Sequence, residues 1–88
     1  MSVKDRILLA IYNEFQKDLP DMKYRITYDE LHITKEEFYV GLEKLENEEL
    51  IKDGNYSKNG SKILLAFLDN VKPSVRGIQY VEQKLLSK

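Results

Sequence analysis

Few residues in this chain have the means to do chemistry. His32 is its only histidine, with Asp29 and Glu30 close before it. One imidazole and two carboxylates fall short of a metal set, because no second histidine and no cysteine supports them. A histidine in a solvated turn is the plainer reading. Six glutamates (Glu36, Glu37, Glu43, Glu46, Glu48 and Glu49) crowd one stretch, a pattern that suggests acid/base work or cation binding. They lack the Asp-rich loop with a fixed glycine that calcium sites use, so they read as a solvated helix face. Ser57, Ser61 and Ser74 have no histidine in a recognisable relation and no glycine-flanked elbow. Gly54 and Gly60 lack the Gly-Lys-Ser/Thr ending of a phosphate loop. The expectation is a protein that is not an enzyme and carries no metal or cofactor.

A second set of residues points to binding. Lys52, Tyr56, Lys58, Asn59 and Lys62 fall on one predicted hairpin, and Lys72 and Arg76 follow shortly after. Such a set can contact the phosphates of double-stranded DNA, each neutralised phosphate adding a salt-dependent increment to affinity. Lysines on a hairpin also serve simply to prevent edge-to-edge pairing. The charges are segregated along the chain. Residues 34–49 hold two bases and six acids, a net −4, whereas residues 50–88 hold seven bases and three acids, a net +4. Helices that read the major groove present Arg, Lys, Asn or Gln to base edges and keep acids away from phosphates. Here the helix in that position carries Lys35, Tyr39 and Asn47 among glutamates. Its charge opposes the usual use, and Tyr39 and Glu43 become candidates for protein contact instead.

These residues must be held by a scaffold. Eighty-eight residues make one domain, 1–88, with a modest core. Val3, Ile7, Ile11 and Phe15 recur every four residues, with Leu8 and Tyr12 beside them, which predicts a first helix from about Val3 to near Asp18. Ser2 is its N-cap, Asp5 suits its first turn, and Pro20 limits its end. Residues 19–26 read as a connection with Asp21, Met22 and Lys23 exposed and an extended piece at Tyr24–Ile26. Thr27-x-x-Glu30 and Thr34-x-x-Glu37 are two capping boxes seven residues apart. They predict a short second helix at Tyr28–Leu31, a turn at His32 and Ile33, and a third helix from Thr34 to about Glu49. That is a helix-turn-helix. Phe38, Leu42 and Leu45 form the third helix's buried face. Gly41 within it implies a close neighbour, the first helix.

A β-hairpin follows from Leu50 to Leu68. Asn59-Gly60 is the signal for its turn, and Asp53-Gly54 marks a bulge or an earlier bend. Its second strand alternates Ile63, Leu65 and Phe67 on one face with Leu64, Ala66 and Leu68 on the other. Both faces are apolar, so the tail helix or another molecule is expected to cover Leu64, Ala66 and Leu68. Ser74 caps a last helix with a buried stripe at Val75, Ile78, Val81 and Leu85, and Gly77 again permits close approach. The fold class is α+β, mainly helical: a winged helix-turn-helix with a three-helix core, a hairpin wing and a C-terminal helix.

At Phe67-Leu68-Asp69-Asn70-Val71-Lys72, at Val75-Arg76-Gly77-Ile78-Gln79-Tyr80-Val81-Glu82 and at Ile33-Thr34-Lys35-Glu36-Glu37-Phe38, the chain resembles the YjcQ-type family. These are small winged-helix proteins of bacteria and their prophages. The resemblance covers almost the whole chain. It implies the fold and carries no catalytic motif.

Two functions are left in contest. One is a DNA-binding regulator of prophage or bacterial genes that grips the duplex through Lys52, Tyr56, Lys58, Asn59, Lys62 and Arg76. The other is a protein-interaction module, self-associating or docking on another protein, through Tyr39, Glu43, Leu64, Ala66 and Leu68. No apolar run approaches a membrane span, and the start does not resemble a secretory signal. With no cysteine, the expected compartment is the cytoplasm.

Overall fold

A computed structural model describes residues 1–86. Helix α1 spans Val3–Phe15. The Ser2 hydroxyl accepts from the Asp5 N–H at 3.2 Å, and Ile7, Leu8 and Ile11 are fully buried. The stripe was expected to continue through Phe15, but that ring stays exposed while Glu14 takes the buried place. The reason lies in the chain's exit. The Glu14 carboxylate accepts from the Asp21 N–H at 2.9 Å and from Lys17 at 2.8 Å, which ties down the segment that turns back after the helix. Those two donors hold the Glu14 pKa below the ordinary glutamate value.

The second helix lies earlier than its sequence signal. Helix α2 spans Met22–Arg25, with Asp21 accepting from the Tyr24 N–H. Residues expected to be exposed or extended are therefore helical, and both Met22 and Ile26 enter the core. Thr27 does accept from the Glu30 N–H at 3.1 Å, so half of the first capping box forms. Only one turn follows, closed by Leu31 N–H to Thr27 O. His32 then adopts φ 56°, which ends the turn where a helix was expected over Tyr28–Leu31.

Helix α3 spans Lys35–Asn47 behind a complete capping box: Thr34 accepts from Glu37 N–H, and Glu37 accepts from Thr34 N–H. Phe38, Leu42 and Leu45 are buried. Gly41 meets α1, as its helix position implied. A Cβ there would sit 2.5 Å from Ile7 Cδ1.

Glu49 at φ 58° makes the corner out of α3. Strand β1 is only Ile51–Lys52, because Asp53 at φ 63° bends the chain. Strands β2 (Asn55–Asn59) and β3 (Lys62–Phe67) form the wing. Asn59 pairs with Lys62, so the two turn residues are Gly60 and Ser61, one place later than the Asn-Gly signal suggested. Gly60 has φ 66°, and a glycine first in a two-residue turn suits the type II′ geometry. Strand β4, Lys72–Pro73, pairs antiparallel with β1.

Helix α4, Val75–Tyr80, continues into a wider π turn over Val81–Leu85. Ser74 is the joint. Its hydroxyl accepts from Gly77 N–H and donates to Glu49 O, and its N–H donates to Leu50 O. Val75, expected in the buried stripe, is instead exposed, while Val81 is fully buried. The tail crosses α1 through two tyrosines: Tyr80 donates to Asp5 and Tyr12 donates to Glu82, each at 2.9 Å. The core gathers α1, α3, Leu50, Ile51, Ile63, Leu68, Val71 and Val81. The architecture is a winged helix.

Two predictions concern stability. A Cβ at Gly77 would run into the Leu50 carbonyl, which is backbone and cannot swing away. Gly77→Ala should cost about 1–3 kcal/mol, lowering the thermal midpoint by about 4–8 °C per kcal/mol. Gly41→Ala should cost less, because it meets only the mobile end of Ile7. The second concerns pH. Glu14 has its pKa lowered in the fold, so its contribution is present above the unfolded value of about 4.3 and is lost as pH falls through the folded value. In urea titrations across that acid range, Glu14→Gln should show a flatter decline of stability with pH than the native chain.

Candidate functional site

The two strands of the wing pair with a one-residue irregularity. Ser57 pairs with Leu65, but Lys58 pairs with Ile63. Leu64 is therefore an extra residue in β3, a β-bulge. It reverses the phase of the strand. Ile63 and Leu68 point into the core, and Ala66 packs against it. Leu64, Leu65 and Phe67 face water at 48%, 49% and 55% exposure. Ala66 and Leu68, expected to be covered by the tail helix or by another molecule, join the core of their own chain. Leu64 keeps its exposed place. The unpartnered face belongs to Leu65 and Phe67, which sequence reasoning had placed with Ile63. No period-2 reading of Ile63–Leu68 reveals this, because every residue in that run is apolar.

Four of the six glutamates in residues 34–49 have side-chain partners within the fold. The Glu43 carboxylate accepts from the Ile63 N–H at 3.1 Å. Glu46 pairs with Lys58. Glu48 pairs with Lys4 of α1 at 3.0 Å, and that bond raises the lysine pKa. Glu37 caps the helix, which holds its carboxyl below the usual value. Tyr39, Glu43 and Glu46, expected on an open face, are half-buried. The wing is strapped along α3.

This placement sorts the basic candidates. Lys58 is the lysine spent on Glu46. Tyr56 turns inward. Its hydroxyl is buried without a hydrogen-bond partner, and burial, with the nearby Glu46 carboxylate, pushes its pKa well above the usual range. Lys72 pairs with Asp53. Lys52 and Arg76 border a groove that also contains Glu46 and Glu49. Lys62 borders a different groove with Lys35, Glu36 and Glu43. Asn59 is exposed beside the turn. The bases are thus shared between separate grooves, and acids stand in both. Tyr39, Glu43 and Leu64, three of the protein-contact candidates, do come together in the second groove, with Val40 and Ile63.

His32 is exposed. Among the described residues no group of three or more His, Cys, Asp or Glu is placed to hold a metal ion, and no helix is long and apolar enough to cross a membrane.

A family model described as YjcQ protein matches residues 6–87. The chain belongs to the YjcQ family. No curated protein and no solved structure matches it. Within this YjcQ-family chain, the match runs through α3, the wing and the tail, so the strap just described lies wholly inside the shared region.

The strap makes a prediction. Glu43→Ala leaves the Ile63 N–H without an acceptor and should cost about 1–2 kcal/mol. Amide exchange at Ile63 should quicken by more than at Leu42, while Glu43→Gln, which keeps an acceptor oxygen, should restore most of the protection.

Proposed function

We propose that this YjcQ-family chain is a non-enzymatic protein-interaction module built on a winged helix, and that it does not read DNA in the usual way. One observation carries the reading: the carboxylates of α3 hold the wing against the very helix that would enter a major groove. Glu43 takes the Ile63 N–H and Glu46 takes Lys58. A duplex approaching that helix would meet the remaining glutamates and a wing whose central lysine is already neutralised. The exposed apolar side chains Leu64, Leu65 and Phe67 favour a protein contact on the wing's outer side.

The DNA-binding alternative keeps three exposed bases that make no ion pair among the described residues: Lys52, Lys62 and Arg76. They stand among Glu36, Glu43, Glu46 and Glu49, so the local field is mixed and steers a polyanion weakly.

A fluorescence-anisotropy titration with a random 20-base-pair duplex decides between the two. Phosphate-driven binding is strongest at low salt, so the decisive condition is about 50 mM salt. The module reading expects no saturable change at protein concentrations up to about 100 μM, weaker than ordinary non-specific DNA binding at low salt. Binding that weakens with salt and is lost in the Lys52→Ala, Lys62→Ala, Arg76→Ala triple variant would establish the alternative.

A further inference from the structure

We propose that the outer face of the wing docks on the α1–α2 corner of a second copy of this chain, in a head-to-tail contact. The inference rests on reading the domain as a protein-interaction module and names its partner.

The outer face has a definite chemistry. Leu65 lies across from Ser57 and Phe67 across from Asn55, so two large apolar side chains sit among small neutral ones. The bulge adds Leu64, and Lys62 closes the patch at the turn. From Asn55 to Leu68 the chain has no carboxylate. Lys62 makes no ion pair among the described residues. The strand faces themselves bring no acid, so two of them packed on each other would offer Lys62 no carboxylate beyond Glu36 and Glu43 of its own groove, and a symmetric wing-to-wing dimer gains no new charge pair from the strands. A better-matched occupant brings apolar side chains flanked by acids.

Among the described residues, the end of α1 presents a surface of that kind. Phe15 is 41% exposed and Leu19 88% exposed, both at the end of α1 where the chain turns toward α2. Between and beside them lie Asp18 and Asp21, both exposed. Lys17 is answered by Glu14, while Asp18 makes no ion pair among the described residues. The other exposed apolar side chains have the wrong neighbours. Val75 is beside Arg76, Leu86 is close to Lys84, Tyr24 lies between Lys23 and Arg25, and Met1 is near Lys4. Val40, 42% exposed, is a single small apolar side chain in a groove whose acids already stand beside Lys35 and Lys62. The strand edge itself offers less, because Glu43 occupies the Ile63 N–H and the bulge disrupts the ladder there, two devices that discourage strand addition.

Phe67 and Leu65 therefore pack on Phe15 and Leu19 of the next copy, with Lys62 toward Asp18. Because the two surfaces differ, the contact is heterologous, and each copy retains one free surface of each kind. The apolar area is small beside a standard interface, which places the contact in the weak, concentration-dependent class.

The test is the mass of the intact chain in solution by sedimentation and light scattering, from about 10 μM to about 1 mM, the span over which a weak contact populates. The native chain should grow from monomer to dimer and beyond with concentration. Phe67→Ser and Leu19→Ser, both at exposed positions, should each remain monomeric when alone, the apparent dissociation constant rising at least about tenfold. Mixed together, they should form a dimer that grows no further, since each supplies the surface the other lacks. Lys62→Glu and Asp18→Lys should each weaken association about two- to fivefold, a rim-charge effect, and the double variant should recover it. A native chain that is monomeric throughout overturns the proposal. So does an unimpaired Leu19→Ser variant, which would mean wing-to-wing pairing, and so does a mixture that fails to dimerise. The duplex titration judges the module reading separately, so a monomeric chain that ignores DNA leaves that reading intact and removes only the second copy as partner.

Discussion

One extra residue in β3 determines which side of the wing meets water. Without the bulge at Leu64, strict alternation would bury either Ile63, Leu65 and Phe67 or Leu64, Ala66 and Leu68. With it, Ile63, Ala66 and Leu68 turn inward, and the strand can be anchored in the core at both ends. Next to the turn-closing pair Asn59–Lys62, the Ile63 N–H points away from the partner strand, as alternate residues of an antiparallel ladder do. An amide in that partly buried place needs an acceptor, and Glu43 on α3 supplies it. Packing, register and polar satisfaction are thus solved together by one side chain on the neighbouring helix.

The same constraint changes the meaning of the acidic helix. A net −4 over residues 34–49 looks like a field directed at solvent. In the fold, Glu37 caps the helix, Glu43 holds the strand, Glu46 holds Lys58 and Glu48 holds Lys4. Each bond is modest, and the exposed pairs are worth about 0–1 kcal/mol. Their value is directional. They attach α3 to the wing on one side and to α1 on the other. A domain of this size has little apolar surface to spare, and polar clasps at Ser74, Tyr80 and Glu14 serve the same purpose at the tail and at the corner.

The sequence was most legible where local signals agreed with each other. The first helix has a period, a cap and an early carboxylate. The third has a complete capping box and a period. Both form over nearly the expected residues, and the two close-approach glycines meet the backbone or side chain that their positions required. The signals failed where tertiary demands outweighed local ones. Thr27 does cap its turn, yet His32 adopts a left-handed conformation, so no helix propagates. The actual second helix, four residues long, is held by the burial of Met22 and Ile26 and by the Asp21 cap, none of which forms a periodic pattern long enough to detect. The phase of Ile63–Leu68 was unreadable for a simpler reason. Six consecutive apolar residues carry no alternation, and the bulge that sets their facing is specified by contacts with α3 far away in the sequence.

That illegibility bears directly on function. The face open to water is the one that the core did not need, and the core's choice was fixed by the bulge. Leu65 and Phe67 could have been alanine or threonine without loss to the interior, because they contribute little to it. Large exposed apolar groups on a strand carry a cost in unwanted association, so their place beside a guarded strand edge has a physical logic. Glu43 and the bulge discourage edge-on pairing, which is indiscriminate, while the face remains available for contact by side chains, which is selective. The winged-helix architecture supplies a rigid hairpin, and nothing in that rigidity requires DNA. With α3 gripping the wing, contact falls, on the proposed reading, to the hairpin's outer side, whose apolar side chains on strands that carry no carboxylate set the chemistry of what it can meet.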